Sequence, residues 1–192
     1  MSSAINVYAV AVDQLRRALG SRDQKLIDAI VTSHKHFLST IDDIDDEAEM
    51  SCAQALAELV NGTQPKDGAG YLYGYALEAL CGHLGEELPN ICPIAGASAW
   101  IEEMDRLLAS RRVPLQLMQL VFGGSPVPIP EPDDAPCIGV WRADELPAAA
   151  AAFRALDPSG LDHDMTETLA QFRGWVEAAL RTPGRSIIGF LS

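Results

Sequence analysis

Hydrophobic positions near the start of the chain run almost without polar interruption. Ile5 to Asp13 reads INVYAVAVD, rich in the β-branched and aromatic side chains that fit a pleated sheet, and predicts a buried strand. The spacing then changes. DQLRRALGS predicts a short helix capped by Asp13 and closed by a left-handed Gly20. Ser21 opens a second helix, SRDQKLIDAIVTSHKHFLSTI, whose Leu26, Ile27, Ile30, Val31, Phe37, Leu38 and Ile41 keep roughly helical spacing. A third helix, EAEMSCAQALAELVNG, places Met50, Ala53, Leu56, Ala57 and Val60 on one stripe and ends at Asn61-Gly62. After the loop GTQPKDGAG, a helix from about Tyr71 carries Leu77, Leu80, Cys81 and Leu84 at core spacing. WIEEMDRLLASRR is built in the same way on Trp100, Ile101, Met104, Leu107 and Leu108.

Pro114 to Pro136 contains six prolines, which neither donate to a ladder nor continue a helix, so SPVPIPEPDDAP is read as extended and polyproline-like. CIGVW beyond it reads as another strand, which makes the proline stretch a wrap over one domain in preference to a linker between two. A helix in DELPAAAAAFRALD follows, then a helix in DMTETLAQFRGWVEAALRTPG capped by Asp164 or Thr166, then a terminal strand, RSIIGFLS. The prediction is a single α+β domain over residues 1–192, with a small sheet that includes the N- and C-terminal strands and packs against several helices.

Length and composition fit this picture. A chain of 192 residues removes roughly 70% of its unfolded surface from water on folding, and 48% hydrophobic with 21% charged residues is ordinary for a globular domain. The charge balance departs from the ordinary. With 27 acids against 14 bases the net charge is −13, which repels nucleic acid and anionic membranes and attracts a basic protein partner. Cys52, Cys81, Cys92 and Cys137 form no closely spaced pair and read as reduced thiols. The start of the chain lacks a signal-peptide pattern, and no apolar run approaches membrane-spanning length. A cytoplasmic protein is expected, monomeric or weakly dimeric.

Six carboxylates crowd the eight residues from Asp42 to Glu49. Asp42, Asp43, Asp45 and Asp46 fit a bare DDxxD pattern, but the larger all-helical framework and the second acidic motif that accompany it in prenyl-diphosphate enzymes are missing. Glu47 stands where a calcium loop needs glycine. The run is read as a solvated helix start, with those four aspartates as candidates for contact with a basic partner. His34 and His36 point about 200° apart on a helix and cannot share a metal; His83 and His163 are read as locally hydrogen-bonded. Tyr71, Tyr73 and Tyr75, with Trp100 and Trp141, can line a ligand cleft beside the proline stretch, or can serve as core. No GxSxG, HExxH, P-loop or Rossmann glycine pattern is present, so no catalytic residue, metal or cofactor is assigned.

The opening INVYAVAVDQLRRALGS, taken with DELPAAAAAFRALD and FRGWVEAALRTPGRSIIGFLS, is similar to the YfbM-like bacterial proteins. YLYGYALEALCGHLGEELPN and PVPIPEPDDAPCIGVW more closely resemble a neighbouring bacterial family of unknown function. The resemblance implies a single α+β domain in the bacterial cytoplasm and carries no catalytic residue. The leading functional reading is a non-catalytic protein-binding module of immunity or regulatory type. Behind it stand an enzyme or small-ligand binder with a cleft near the tyrosines and the proline-rich loop, and a structural homo-oligomer.

Overall fold

A computed structural model describes residues 5–44, 48–90 and 97–192. In chain order the elements are β1 Ile5–Ala11, α1 Val12–Ala18, α2 Gln24–Ser33, α3 Lys35–Asp42, α4 Cys52–Asn61, α5 Gly70–Leu84, β2 Glu86–Leu88, α6 Ala97–Ser110, α7 Leu117–Phe122, β3 Cys137–Trp141, α8 Leu146–Ala155, α9 His163–Leu180 and β4 Arg185–Leu191. The four strands form one antiparallel sheet in the order β2-β1-β4-β3. The terminal strands lie side by side at its centre, with Ile5 opposite Leu191 and Ala11 opposite Arg185. The fold class is α+β.

Both faces of the central strands are covered, which is why their sequences are largely apolar on both faces. Tyr8, Val10, Ile188 and Phe190 pack into one hydrophobic cluster with α1 to α5. Val7, Ala9, Ile187 and Leu191 pack into a second cluster with α6 to α9. The first half of the chain therefore covers one face and the second half the other. Each free edge is blunted. β2 is three residues long and carries Glu86 and Glu87, and on β3 the Gly124 N–H donates to the Ile138 carbonyl.

α5 is the central helix of its layer. Every residue from Leu72 to Cys81 is buried, as the all-round apolar sequence requires. α4 packs beside it and begins with a reciprocal cap, in which Ser51 Oγ accepts from the Gln54 N–H and Gln54 Oε1 from the Ser51 N–H. It ends at Gly62, in the left-handed region at φ +67°. A Cβ there would lie 2.9 Å from the Gly20 Cα, so this turn needs glycine for close approach as well as for conformation.

Several elements differ from the sequence reading. The predicted long second helix is two, broken at His34, and its cap is Asp23 in place of Ser21; Ser33 Oγ donates back to the Ala29 carbonyl near the break. α1 has no side-chain cap, and Asp13 sits in its first turn. α9 is capped by Asp162, two residues before Asp164. β2 and α7 were not predicted at all. The proline stretch does wrap the domain. It leaves α7 on one face, passes the β3 edge and lies on α5, where a Cβ at Gly70 would stand 2.3 Å from the Glu131 carbonyl and one at Gly74 2.9 Å from the Pro136 ring.

Candidate functional site

The residues singled out from sequence do not converge on one place. Asp42 closes α3 and is partly engaged, because its Oδ1 accepts the Cys52 N–H at 2.6 Å and so satisfies the first amide of α4. The acids were expected in the first turn of a helix. Asp42 instead ends the preceding helix and reaches across to the next helix start, and the positive end it serves belongs to α4. Asp43 is exposed. Asp45 and Asp46 lie outside the described residues.

The five aromatics divide between the two faces. Tyr73 and Tyr75 are buried in the α5 layer and Tyr71 packs at its rim. Tyr73 donates to Glu58 Oε2 and accepts the Lys66 N–H at 2.8 Å, so its hydroxyl fixes the loop between α4 and α5. Tyr75 meets Phe37 edge-on, with ring centroids 6.2 Å apart. Trp141 and Trp100 belong to the other face. There Trp141, Phe172 and Trp175 form one aromatic cluster, and both buried indole N–H groups are satisfied, Trp141 by the Gln116 carbonyl and Trp175 by the Pro89 carbonyl. The His34 and His83 rings meet edge-on with centroids 6.3 Å apart, and His34 Nδ1 lies 2.8 Å from Ser33 Oγ.

Three other features stand out. The first is Glu78, 1% exposed in the middle of α5. Its Oε1 accepts from Asn6 Nδ2 at 2.7 Å and from the Tyr8 hydroxyl at 3.2 Å, tying α5 to β1, while its Oε2 has no partner among the described residues. Burial raises its pKa to about 7, against the opposing pull of those two donors and with Glu87 adding to the rise. Its sequence signal is plain in retrospect, since it is the one charge in YLYGYALEALCG.

The second is a groove of about 480 Å³ between β2 with the following turn and α9. Leu88, Pro89, Ala170, Gly174, Trp175 and Ala178 contribute its apolar surface. Ala170, Gly174 and Ala178 recur every four residues and so share one face of α9. Among the described residues a Cβ at Gly174 would meet nothing within 4 Å, so none of them explains by packing a glycine in mid-helix. Glu167 stands on the rim, and Glu86 is held there by Arg181 at 2.8 Å and Arg185 at 3.0 Å.

The third is a cleft of about 350 Å³ under the proline strap, bounded by α7, the strap and the start of β3. Val127, Ile129 and Ile138 give it apolar walls, Glu131 and Asp134 its charge, and Phe122, 47% exposed, stands at its margin. Neither groove nor cleft is legible from periodicity, because each is assembled from segments distant in sequence. Among the described residues no group of three or more His, Cys, Asp or Glu side chains is placed to hold a metal ion, and no helix is long and apolar enough to cross a membrane.

No curated protein and no solved structure matches this chain. One family pattern does, over residues 1–192, and the chain therefore belongs to the family described as Domain of unknown function (DUF7691).

Proposed function

We propose that this protein is a non-catalytic binding module that seats an apolar, positively charged segment of a protein partner in the groove along α9. The observation that carries the reading is Gly174, a helix-interior glycine on the groove surface whose Cβ position has no described residue within 4 Å. Such a residue costs a helix about 1 kcal/mol relative to alanine. Keeping that surface free of a side chain lets another backbone approach closely. The net charge of −13 supports a basic partner through long-range steering, and Glu167 supplies a local counter-charge at the rim. Asp43, with Asp45 and Asp46, is proposed to add to the attracting field, while Asp42 acts mainly on the α3–α4 junction. A bacterial cytoplasmic setting and kinship with the YfbM-like proteins are compatible with this reading and rest on the sequence resemblance alone, whereas an immunity or regulatory role is proposed from the acidic charge and the small α+β build.

The test compares the wild-type protein with Gly174→Leu as immobilised bait. The expected result is a basic polypeptide retained by the wild type, lost in the filled-groove variant and released as salt rises. Equal retention by both proteins would remove the groove from the interface, and retention unaffected by salt would remove the charge argument. A second reading, a small-ligand binder, is favoured by the strap cleft, which is bounded by α7, the strap and β3 and whose described lining includes none of the tyrosines or tryptophans singled out from sequence.

A further inference from the structure

The strap cleft differs from the α9 groove in its charge. Of the groove's two described acids, Glu86 is shared by Arg181 and Arg185, and Glu167 lies 3.4 Å from His163 Nε2. The cleft is lined by Glu131 and Asp134, and among the described residues no lysine, arginine or histidine contributes to its lining. The field of Asp134 reaches inward. After burial it is the next cause that pushes the Cys137 thiol upward, and it also contributes to the raised Tyr75 hydroxyl. The same cleft has apolar lining from Val127, Ile129 and Ile138, and from Phe122, which is 47% exposed. The walls are fixed: the strap lies on the side-chain-free surface of Gly70 and Gly74, and its start is bonded to β3 through the Gly124 N–H and the Ile138 carbonyl.

We propose that the cleft beneath the proline strap binds a small organic ammonium ion, its charged group held between Glu131 and Asp134 and its hydrocarbon part against Phe122, Val127, Ile129 and Ile138. The proposal rests on the small-ligand reading and is independent of the α9 groove. Volume, charge and apolarity converge on this ligand class. A cavity near 350 Å³ suits a small molecule. Two carboxylates without a cation favour a positive guest and exclude an anion. An exposed phenyl face attracts an alkylammonium group through its quadrupole. A bare metal ion would gain nothing from the apolar walls and would demand converging oxygen ligands.

The probes are n-butylammonium, its neutral counterpart n-butanol and its anionic counterpart butyrate, titrated into the full chain while the Phe122 ring resonances are followed by NMR. The expected result is a saturable shift with n-butylammonium only. Its affinity should fall about tenfold in Glu131→Gln/Asp134→Asn and about threefold in Phe122→Ala, with amide spectra that report an unchanged fold. Equal binding of n-butanol would overturn the cation claim and leave an apolar-ligand site. Absence of saturation by any of the three probes would overturn the small-ligand reading itself. Because these comparisons use the wild-type protein, a variant that failed to fold would still leave the proposal decided.

Discussion

Glu78 ties α5 to β1 through one oxygen, and its other oxygen has no partner among the described residues, so these contacts satisfy neither protonation state completely. Its folded pKa of about 7 lies above the ordinary 4.5. Between those values the folded protein retains a proton that the unfolded chain has lost, so stability is fully present at acid pH and falls as pH rises through about 7. The full change is about 3 kcal/mol. Chemical denaturation at a series of pH values should show this decline in the wild type and its loss in Glu78→Gln; a parallel decline in the variant would assign the effect to another group. Asp42 offers a second contrast. Asp42→Ala deprives the Cys52 N–H of its acceptor and should cost about 1 to 2 kcal/mol, whereas Asp43→Ala, at an exposed position, should stay within about 0.5 kcal/mol. Equal effects in the same denaturation measurement would refute the division of roles. Sequence shows six carboxylates as one block, and only the geometry separates the one that bonds a helix start from its neighbour in water.

At the scale of elements, legibility follows length and local pattern. β1, β4 and β3 are readable because apolar residues predominate where both faces of a strand are covered. β2, with three residues and two glutamates, has too little sequence to carry a period. α7 is a single six-residue helix among prolines, and Asp105 stabilises its start from α6 by accepting the Leu117 and Met118 N–H groups. No local sequence signal announces that long-range cap. α7 also depends on what it rests upon. Gly139 and Gly189 pair across β3 and β4, and a Cβ at Gly139 would stand 2.2 Å from the Gln119 carbonyl oxygen. Gly139→Ala should therefore destabilise the protein by about 3 kcal/mol, since backbone has no flexible side chain to move aside. Gly174→Ala, with no described residue within 4 Å of the new methyl group, should stabilise by about 0.5 to 1 kcal/mol. Thermal unfolding of the two variants side by side measures both, and a stabilising Gly139→Ala would mean that α7 does not sit on the sheet as described.

At the scale of the whole molecule, the question is whether the proline strap separates two units or belongs to one. The sheet decides the expectation. β4 lies between β1 and β3 and pairs with β1 along the entire length of both strands. A cut in the strap would leave one piece with β1, β2 and the helices α1 to α7, and the other with β3, α8, α9 and β4. Neither piece can cover its own sheet surface. Tyr8 and Val10 of the first share a cluster with Ile188 and Phe190 of the second, and Val7 and Ala9 share the opposite cluster with Ile187 and Leu191. With a protease site inserted after Pro128, cleavage should yield two fragments that co-elute under native conditions, separate in denaturant and do not fold apart. An N-terminal fragment that folded alone, with a cooperative transition of its own, would make the strap a true linker and would break the argument that both ends of the chain build one core. The same result would strike at the strap cleft, whose walls combine α7, the strap and β3 and so exist only if the two halves are held together.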